Sequence, residues 1–232
     1  MVIDDKVIFV HCPRTSGTSI RRALLRGDDP NAERNLKTLG KLRREPKWRN
    51  QKHAYASMIR ENVHPVIWDR RFKFSVVRNP WDRMVSLYGL FRKKHVGNRY
   101  KLDKFIVALE NRPRFRDKQD RKALMLRSMD LDFKDWISFC NEYGWNNCQY
   151  LGRDTPMIQI PQSRWFEGLD KVFKFEERDE INEFLRSKGY SVPIPENQSK
   201  RYSNWHSYYD EETYALVRGY FKEDIERFGY GE

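Results

Sequence analysis

The chain has 232 residues, enough for one domain with insertions. Apolar residues make up 39% of it and aromatic residues 14%, which is enough to build a packed core, so this composition excludes a disordered chain. Its 45 basic and 33 acidic residues give a net charge of +12, which favours an anionic partner. A nucleotide, a sulfated glycan and a nucleic acid all fit this charge, and a solvated basic surface without a partner is the alternative.

The first predicted elements are a strand, a tight polar loop and a helix. Residues 6–11 form an apolar, β-branched run of strand length, and Ile20, Ala23 and Leu24 follow at helical spacing. Residues 13–19 lie between them and contain one glycine. A loop in this position directs backbone N–H groups and the positive end of the helix dipole at an anion. The stretch therefore predicts a phosphate or sulfate site.

A second strand–turn–helix unit follows along the chain. Residues 71–78 predict a buried strand, Asn79 is a good N-cap and Pro80 suits the first helical position. The helix after it has an apolar side, and its polar side is expected to face a ligand near Arg78. That polar side carries Asn79, Asp82, Arg83 and Ser86. Two such units predict a ligand with two anionic ends.

The rest of the chain continues the alternation of strands and helices. Helices are predicted at 53–62, 132–143, 177–188 and 210–227, and a strand at 171–175. Residues from about 92 to 130 are basic and weakly periodic, which predicts a partly helical insertion in a single domain spanning 1–232. This order predicts an α/β domain with a mainly parallel sheet, whose ligands bind at the carboxyl ends of the strands.

The first loop lacks the Walker A pattern. That motif needs two glycines and a lysine beside the hydroxyl residue, whereas here Arg14 precedes the only glycine, Gly17. No apolar strand ends in an obvious Walker B carboxylate. A magnesium-dependent kinase or ATPase is therefore disfavoured.

Together the two loops resemble those of the sulfotransferases, and in particular the carbohydrate-type enzymes of the uronyl and chondroitin branch. That family has a P-K-T-x-G-T-S loop and a later R-N-P-x-x-R-x-x-S-x-Y stretch, which residues 13–19 and 78–88 resemble. Further landmarks follow in order at 52–56, 161–163, 197–201 and 224–230. The resemblance implies a three-layer, P-loop-NTPase-like fold with helices on both sides of the sheet.

The resemblance also implies a donor, 3′-phosphoadenosine 5′-phosphosulfate, and transfer of its sulfuryl group to a hydroxyl, most simply that of a carbohydrate. Backbone N–H groups and hydroxyls of the first loop would hold the 5′-phosphosulfate, and Arg78 with Ser86 would bind the 3′-phosphate. Lys200 and Arg201 would close over the same phosphate. The implied nucleotide-binding residues are Arg14, Thr15, Ser16, Gly17, Thr18, Ser19, Arg78, Ser86, Lys200 and Arg201.

Two residues carry the chemistry that the resemblance implies. Arg14 occupies the family's lysine position, where a cation stabilises the departing oxygen, and arginine changes the reach and hydrogen-bond geometry of that cation. His53 occupies the family's histidine position and is the implied general base, with helix packing as the alternative. The exchange at Arg14 keeps open a non-catalytic protein of the same fold that binds a nucleotide or a sulfated glycan.

Other partners and environments are disfavoured by the sequence. There are three cysteines, Cys12, Cys140 and Cys148. They are too few for a disulfide framework, so a cytoplasmic protein is the simplest expectation. They also lack the spacing of zinc ligands, so no metal is expected. No signal peptide, membrane-spanning run or nucleic-acid-binding motif stands out. Trp145, Trp165 and Trp205 are candidates for stacking on sugar rings, with packing as the alternative.

Overall fold

Four strands form one sheet in the computed structural model, which describes residues 2–26, 54–95, 131–143, 145, 161–190 and 204–231. The strands, in spatial order, are β1 (Val2–Ile3), β2 (Val7–Phe9), β3 (Phe72–Val77) and β4 (Lys171–Lys174). β1 is antiparallel to β2, whereas the β2–β3 and β3–β4 pairs are parallel. The predicted α/β class with a mainly parallel sheet is confirmed for these strands.

Helices follow the strands. They are α1 (Gly17–Arg26), α2 (Ala56–Asn62), α3 (Pro65–Arg70), α4 (Pro80–His95), α5 (Phe133–Tyr143), α6 (Arg178–Ser187), α7 (Glu211–Tyr220) and α8 (Lys222–Phe228), with 3₁₀ turns at Gln162–Trp165 and Trp205–Tyr208. α2, α5 and α6 lie close to the predicted bounds 53–62, 132–143 and 177–188, whereas α3 was not predicted. α1 buries Ile20, Ala23 and Leu24 as the spacing predicts. α6 ends at Ser187 and is followed by Gly189, whose φ of 80° is the left-handed conformation that glycine adopts without strain.

The sheet core explains why β2 is apolar throughout. Val7, Ile8 and Phe9 are fully buried, as expected for a parallel strand covered on both faces. The ring of Phe74 on β3 lies 5.0 Å from that of Phe9 and 6.0 Å from that of Phe173 on β4. Because β2 and β3 are parallel neighbours, their carboxyl ends lie at the same edge of the sheet.

The chain divides into two compact units. The first consists of Met1–Asn79, Gln162–Ser199 and Arg227–Tyr230, and it contains the sheet. The second consists of Pro80–Pro161, Lys200–Glu226 and Gly231–Glu232, and its described elements are helical. Of the insertion predicted at about 92–130, only the end of α4 belongs to the described residues. No helix in the described part of the chain has the length and apolarity to cross a membrane.

In the second unit, the polar side of α4 is buried, contrary to the prediction that it would be open to a ligand. Asp82, Arg83 and Ser86 are 8%, 1% and 1% exposed. The reason is that the second unit packs around this side of the helix as well, and the Arg83 guanidinium lies 5.9 Å from the ring centroid of Phe221. Trp81, on the apolar side, stacks on Tyr214 at 4.4 Å.

The C-terminal segment is two helices, and the prediction of a single helix at 210–227 is wrong. α7 begins with a capping box in which hydrogen bonds from Thr213 lower the pKa of Asp210 to about 2. The helix ends at Phe221, whose ψ of 22° leaves the helical range. The ring of Phe221 is fully buried, with the ring of Trp145 5.9 Å away, so packing decides this break.

Candidate anion-binding site

The loop between β2 and α1 has an unusual backbone. Arg14 and Ser16 have φ angles of 69° and 60°, in the left-handed region that residues other than glycine seldom adopt. Thr15 between them is fully buried, and its hydroxyl donates to the carbonyl of Cys12 at 3.0 Å. Alternation of left-handed and other residues gathers successive N–H groups into an anion-binding concavity. The strain is of order 1–3 kcal/mol per residue and is typical of functional sites.

The first turn of α1 begins within this loop. The Ser16 carbonyl accepts hydrogen bonds from the N–H groups of Ser19 at 2.9 Å and Ile20 at 3.2 Å. The Ser19 N–H therefore forms a hydrogen bond within the first helical turn, although the sequence predicted that it would bind the ligand. Thr18 is exposed, and Ser16 and Ser19 are half-buried, so all three residues of this turn are accessible to solvent.

Gly17 is required because the ring of His11 approaches its backbone. A Cβ atom at Gly17 would lie 2.0 Å from His11 Cδ2 and 2.2 Å from Nε2. His11 is itself buried, with its ring stacked 5.8 Å from that of Phe9. The imidazole therefore packs beneath the loop and fixes the approach of α1 to β2.

Replacing Gly17 with alanine tests this packing. We expect Gly17→Ala to lower the free energy of unfolding by roughly 1–3 kcal/mol, because the methyl group overlaps a ring that cannot retreat. In a His11→Ala background the same change should cost less, since the obstructing ring is gone. Urea denaturation of the wild type, both single variants and the double variant measures the coupling. An equal cost of Gly17→Ala in both backgrounds would contradict the proposed contact.

Arg78, at the end of β3, contacts the first loop. Its Nη1 atom donates to the Arg14 carbonyl at 3.4 Å, and its Cζ atom lies 4.5 Å from the centroid of the Phe175 ring. The residue is 7% exposed. The structure thus brings together the two loops that the sequence singled out separately, with a guanidinium group beside the strained backbone.

A glutamine and a glutamate hold the backbone around Arg78. Gln162 Oε1 accepts from the Arg78 N–H at 3.0 Å, and Gln162 Nε2 donates to the Arg78 carbonyl at 2.8 Å. The next N–H, that of Asn79, donates to Glu176 Oε1 at 2.9 Å. Neither side chain was among the predicted site residues. Gln162 belongs to the family landmark at 161–163, which was the available signal, whereas nothing in the sequence pointed to Glu176.

Replacing Gln162 with leucine should destabilise the protein. The leucine side chain would leave a buried N–H and a buried carbonyl of Arg78 without this partner, at about 1–3 kcal/mol each. Denaturant unfolding of Gln162→Leu, compared with that of the wild type, measures the loss. Wild-type stability for Gln162→Leu would show that the two bonds do not hold Arg78.

The remaining predicted site residues belong to the second unit or lie outside the described residues. Ser86 is on α4 in the second unit, where its side chain is buried. His53, Lys200 and Arg201 lie outside the described residues. The segment directly after His53 begins with Ala54, which is fully buried, and Tyr55, whose pKa is raised by burial and then by the nearby Cys12. Tyr55 therefore interacts electrostatically with Cys12, which directly precedes the first loop.

The tryptophans proposed for sugar stacking are largely packing residues. Trp165 is fully buried, with its ring 4.5 Å from that of Tyr55. Trp145 is also buried and stacks on Tyr220 at 4.6 Å. Trp205 is half-buried, and its ring lies 6.1 Å from that of Trp81. In the described part of the chain, no group of three His, Cys, Asp or Glu residues could hold a metal ion.

An anion-binding loop at the carboxyl end of parallel strands, with an arginine beside it, is the arrangement of an α/β protein that binds a phosphorylated or sulfated ligand. A family model described as the Sulfotransferase family matches residues 1–231, so the chain belongs to the sulfotransferase family. This membership makes the chain a transferase of sulfo groups, with a sulfonate donor and an acceptor. No curated protein and no solved structure gives a significant match.

Proposed function

We propose that the protein transfers a sulfuryl group from 3′-phosphoadenosine 5′-phosphosulfate to a hydroxyl group of a carbohydrate. The observation that carries this proposal is the contact between Arg78 and the Arg14 carbonyl within the first unit. It joins a strained anion-binding loop to a buried guanidinium group. A donor with an anionic group at each end needs two such elements side by side.

The donor-binding roles follow from the chemistry of these groups. The loop backbone, the positive end of α1 and the hydroxyls of Thr18 and Ser19 suit the 5′-phosphosulfate. The planar guanidinium of Arg78 suits a phosphate monoester, which it can contact with two parallel hydrogen bonds. Ser86, Lys200 and Arg201 are proposed as further 3′-phosphate ligands because they occupy the matching positions of the family motifs.

The catalytic roles require a base and a cation. The donor supplies a sulfuryl group on an oxygen that departs as part of adenosine 3′,5′-bisphosphate. His53 is proposed to take the proton of the acceptor hydroxyl as the new S–O bond forms. Arg14, which is half-buried in the loop, is proposed to stabilise the negative charge that develops on the departing oxygen. The loop holds the reacting groups in line.

The proposed class of acceptor rests on the net charge of the protein. The net charge of +12 favours a polar or anionic acceptor over a neutral phenol, because a positive surface potential raises the local concentration of anions. Carbohydrates that already carry carboxylate or sulfate groups meet this requirement, and they agree with the motif resemblance to the uronyl and chondroitin branch.

Transfer of labelled sulfate from the donor to a panel of glycans tests the proposal. The wild type and the Arg14→Lys variant should both label an anionic polysaccharide, and Arg14→Lys should change the rate more than the donor affinity. Tight binding of adenosine 3′,5′-bisphosphate without transfer by either protein would instead favour the non-catalytic nucleotide-binding alternative that Arg14 keeps open.

A further inference from the structure

A fully buried serine interrupts the apolar residues of β3. Ser75 stands between Phe74 and Val76, and all three residues are 0% exposed. A parallel strand that is covered on both faces is normally apolar, and burying a hydroxyl there costs free energy unless it is hydrogen-bonded. The Ser75 hydroxyl donates to the carbonyl of Val10 at 2.6 Å. The packing of β3 alone therefore does not account for a serine, whereas this hydrogen bond does.

The bond lies where β2 passes into the first loop. The two strands still pair at this point, because the N–H of Val10 donates to the Phe74 carbonyl at 2.9 Å. Two residues further along, the carbonyl of Cys12 accepts from the Thr15 hydroxyl at 3.0 Å. Buried hydroxyls thus hold alternate carbonyls of this segment. The Thr15 bond is local in sequence, whereas the Ser75 bond attaches the segment to another strand.

Arg78 lies three residues beyond Ser75, directly after β3. Its backbone is held by Gln162, and its Nη1 atom reaches the Arg14 carbonyl of the first loop at 3.4 Å. That distance is long for an N–H···O hydrogen bond, so a further separation of about 0.2 Å would end it. Because Ser75 attaches the start of the loop to the strand that leads to Arg78, its hydroxyl fixes the separation between the loop and the guanidinium group.

We propose that Ser75 is a positioning residue for the donor, and that its hydroxyl sets the spacing between the first loop and Arg78. This inference rests on the proposed function, in which the loop and Arg78 bind the two anionic ends of one nucleotide. A ligand with two ends gains affinity from simultaneous contact only when the spacing of the two sites matches its own. A displaced loop would therefore weaken binding of a bisphosphate, while each end alone would still bind.

Calorimetric titration with three nucleotides tests the assignment. Ser75→Ala should weaken binding of adenosine 3′,5′-bisphosphate by roughly tenfold, the factor that corresponds to one lost hydrogen bond of about 1.4 kcal/mol. Binding of adenosine 5′-monophosphate and of adenosine 3′-monophosphate should stay within about twofold of wild type, because each uses only one end of the site. Ser75→Thr keeps a hydroxyl on Cβ and should retain the wild-type affinity for the bisphosphate.

Tyr190→Phe is the matched control for the loss of one hydroxyl group. The Tyr190 hydroxyl donates to Asp4 Oδ2 in the same unit, but Asp4 lies between β1 and β2, at the amino end of β2. This variant should lower the melting temperature, as Ser75→Ala does, and leave all three affinities within about twofold of wild type. The ratio of bisphosphate to monophosphate affinity is therefore a readout that a loss of stability alone does not change.

Other outcomes overturn the proposal in distinguishable ways. Wild-type affinity of Ser75→Ala for the bisphosphate would show that Ser75 does not position the donor. An equal loss of affinity for the 5′-monophosphate would show that Ser75 shapes the loop itself, and an equal loss in Ser75→Thr would assign the effect to side-chain volume. If Ser75→Ala does not fold, Ser75→Cys, which nearly keeps the volume but donates weakly, takes its place with the same expected loss. A wild-type protein without preference for the bisphosphate would overturn the proposed function itself.

Discussion

Replacing Arg78 with alanine should raise the dissociation constant of adenosine 3′,5′-bisphosphate by roughly a hundredfold. The proposed fork makes two charged hydrogen bonds to the phosphate, each of about 1.5–3 kcal/mol, and every 1.4 kcal/mol is a factor of ten in affinity. The loss should be confined to nucleotides with a 3′-phosphate. Titration calorimetry with the bisphosphate and with adenosine 5′-monophosphate measures both effects.

Arg78→Lys is the control for charge. Lysine keeps the positive charge but not the planar fork, so its affinity should lie between those of wild type and Arg78→Ala. Because Arg78 also donates to the Arg14 carbonyl, melting curves are needed to show that each variant is folded. A folded Arg78→Ala protein that binds the bisphosphate as tightly as wild type would contradict the site.

Replacing His53 with alanine should abolish sulfuryl transfer and leave nucleotide affinity almost unchanged. A general base contributes about 10²–10⁴ to the rate but contacts the acceptor hydroxyl rather than the donor phosphates. Steady-state transfer rates and calorimetry separate the two effects.

His206→Ala is the matched control for the loss of an imidazole. His206 is exposed and stacks on Trp205 at 3.5 Å in the second unit, without motif support for catalysis. This variant should retain transfer activity. Loss of bisphosphate binding in His53→Ala would show that His53 has a structural or donor-binding role, and the assignment as a base would then fail.

The parts of the fold that the sequence predicted are those encoded by local patterns. An uninterrupted apolar run makes β2 recognisable, and the spacing of Ile20, Ala23 and Leu24 defines the buried side of α1. The first loop could be predicted because its residue types suit an anion-binding turn between these two elements. Arg78 was recognisable because it stands between a buried strand and a clear helix start.

The features that the sequence did not predict depend on contacts between distant residues. Gln162 holds the Arg78 backbone across 84 residues of sequence, and Arg178 reaches the ring that Arg78 also contacts. The break at Phe221 follows from tertiary packing, and the burial of Ser86 from helices that enclose α4. Residue periodicity describes one helix or strand at a time. It therefore could not distinguish a polar helix face that is exposed to solvent from a polar helix face that is buried against other elements.

Titration of the wild-type protein with adenosine 3′,5′-bisphosphate tests the two-ended donor site most directly, with adenosine 5′-monophosphate as the comparison. The anion loop beside Arg78 predicts saturable binding of one bisphosphate per chain and much weaker binding of the monophosphate, because only the bisphosphate reaches Arg78 while its other end occupies the loop. Equal affinity for the two nucleotides, or no binding of the bisphosphate, would contradict it.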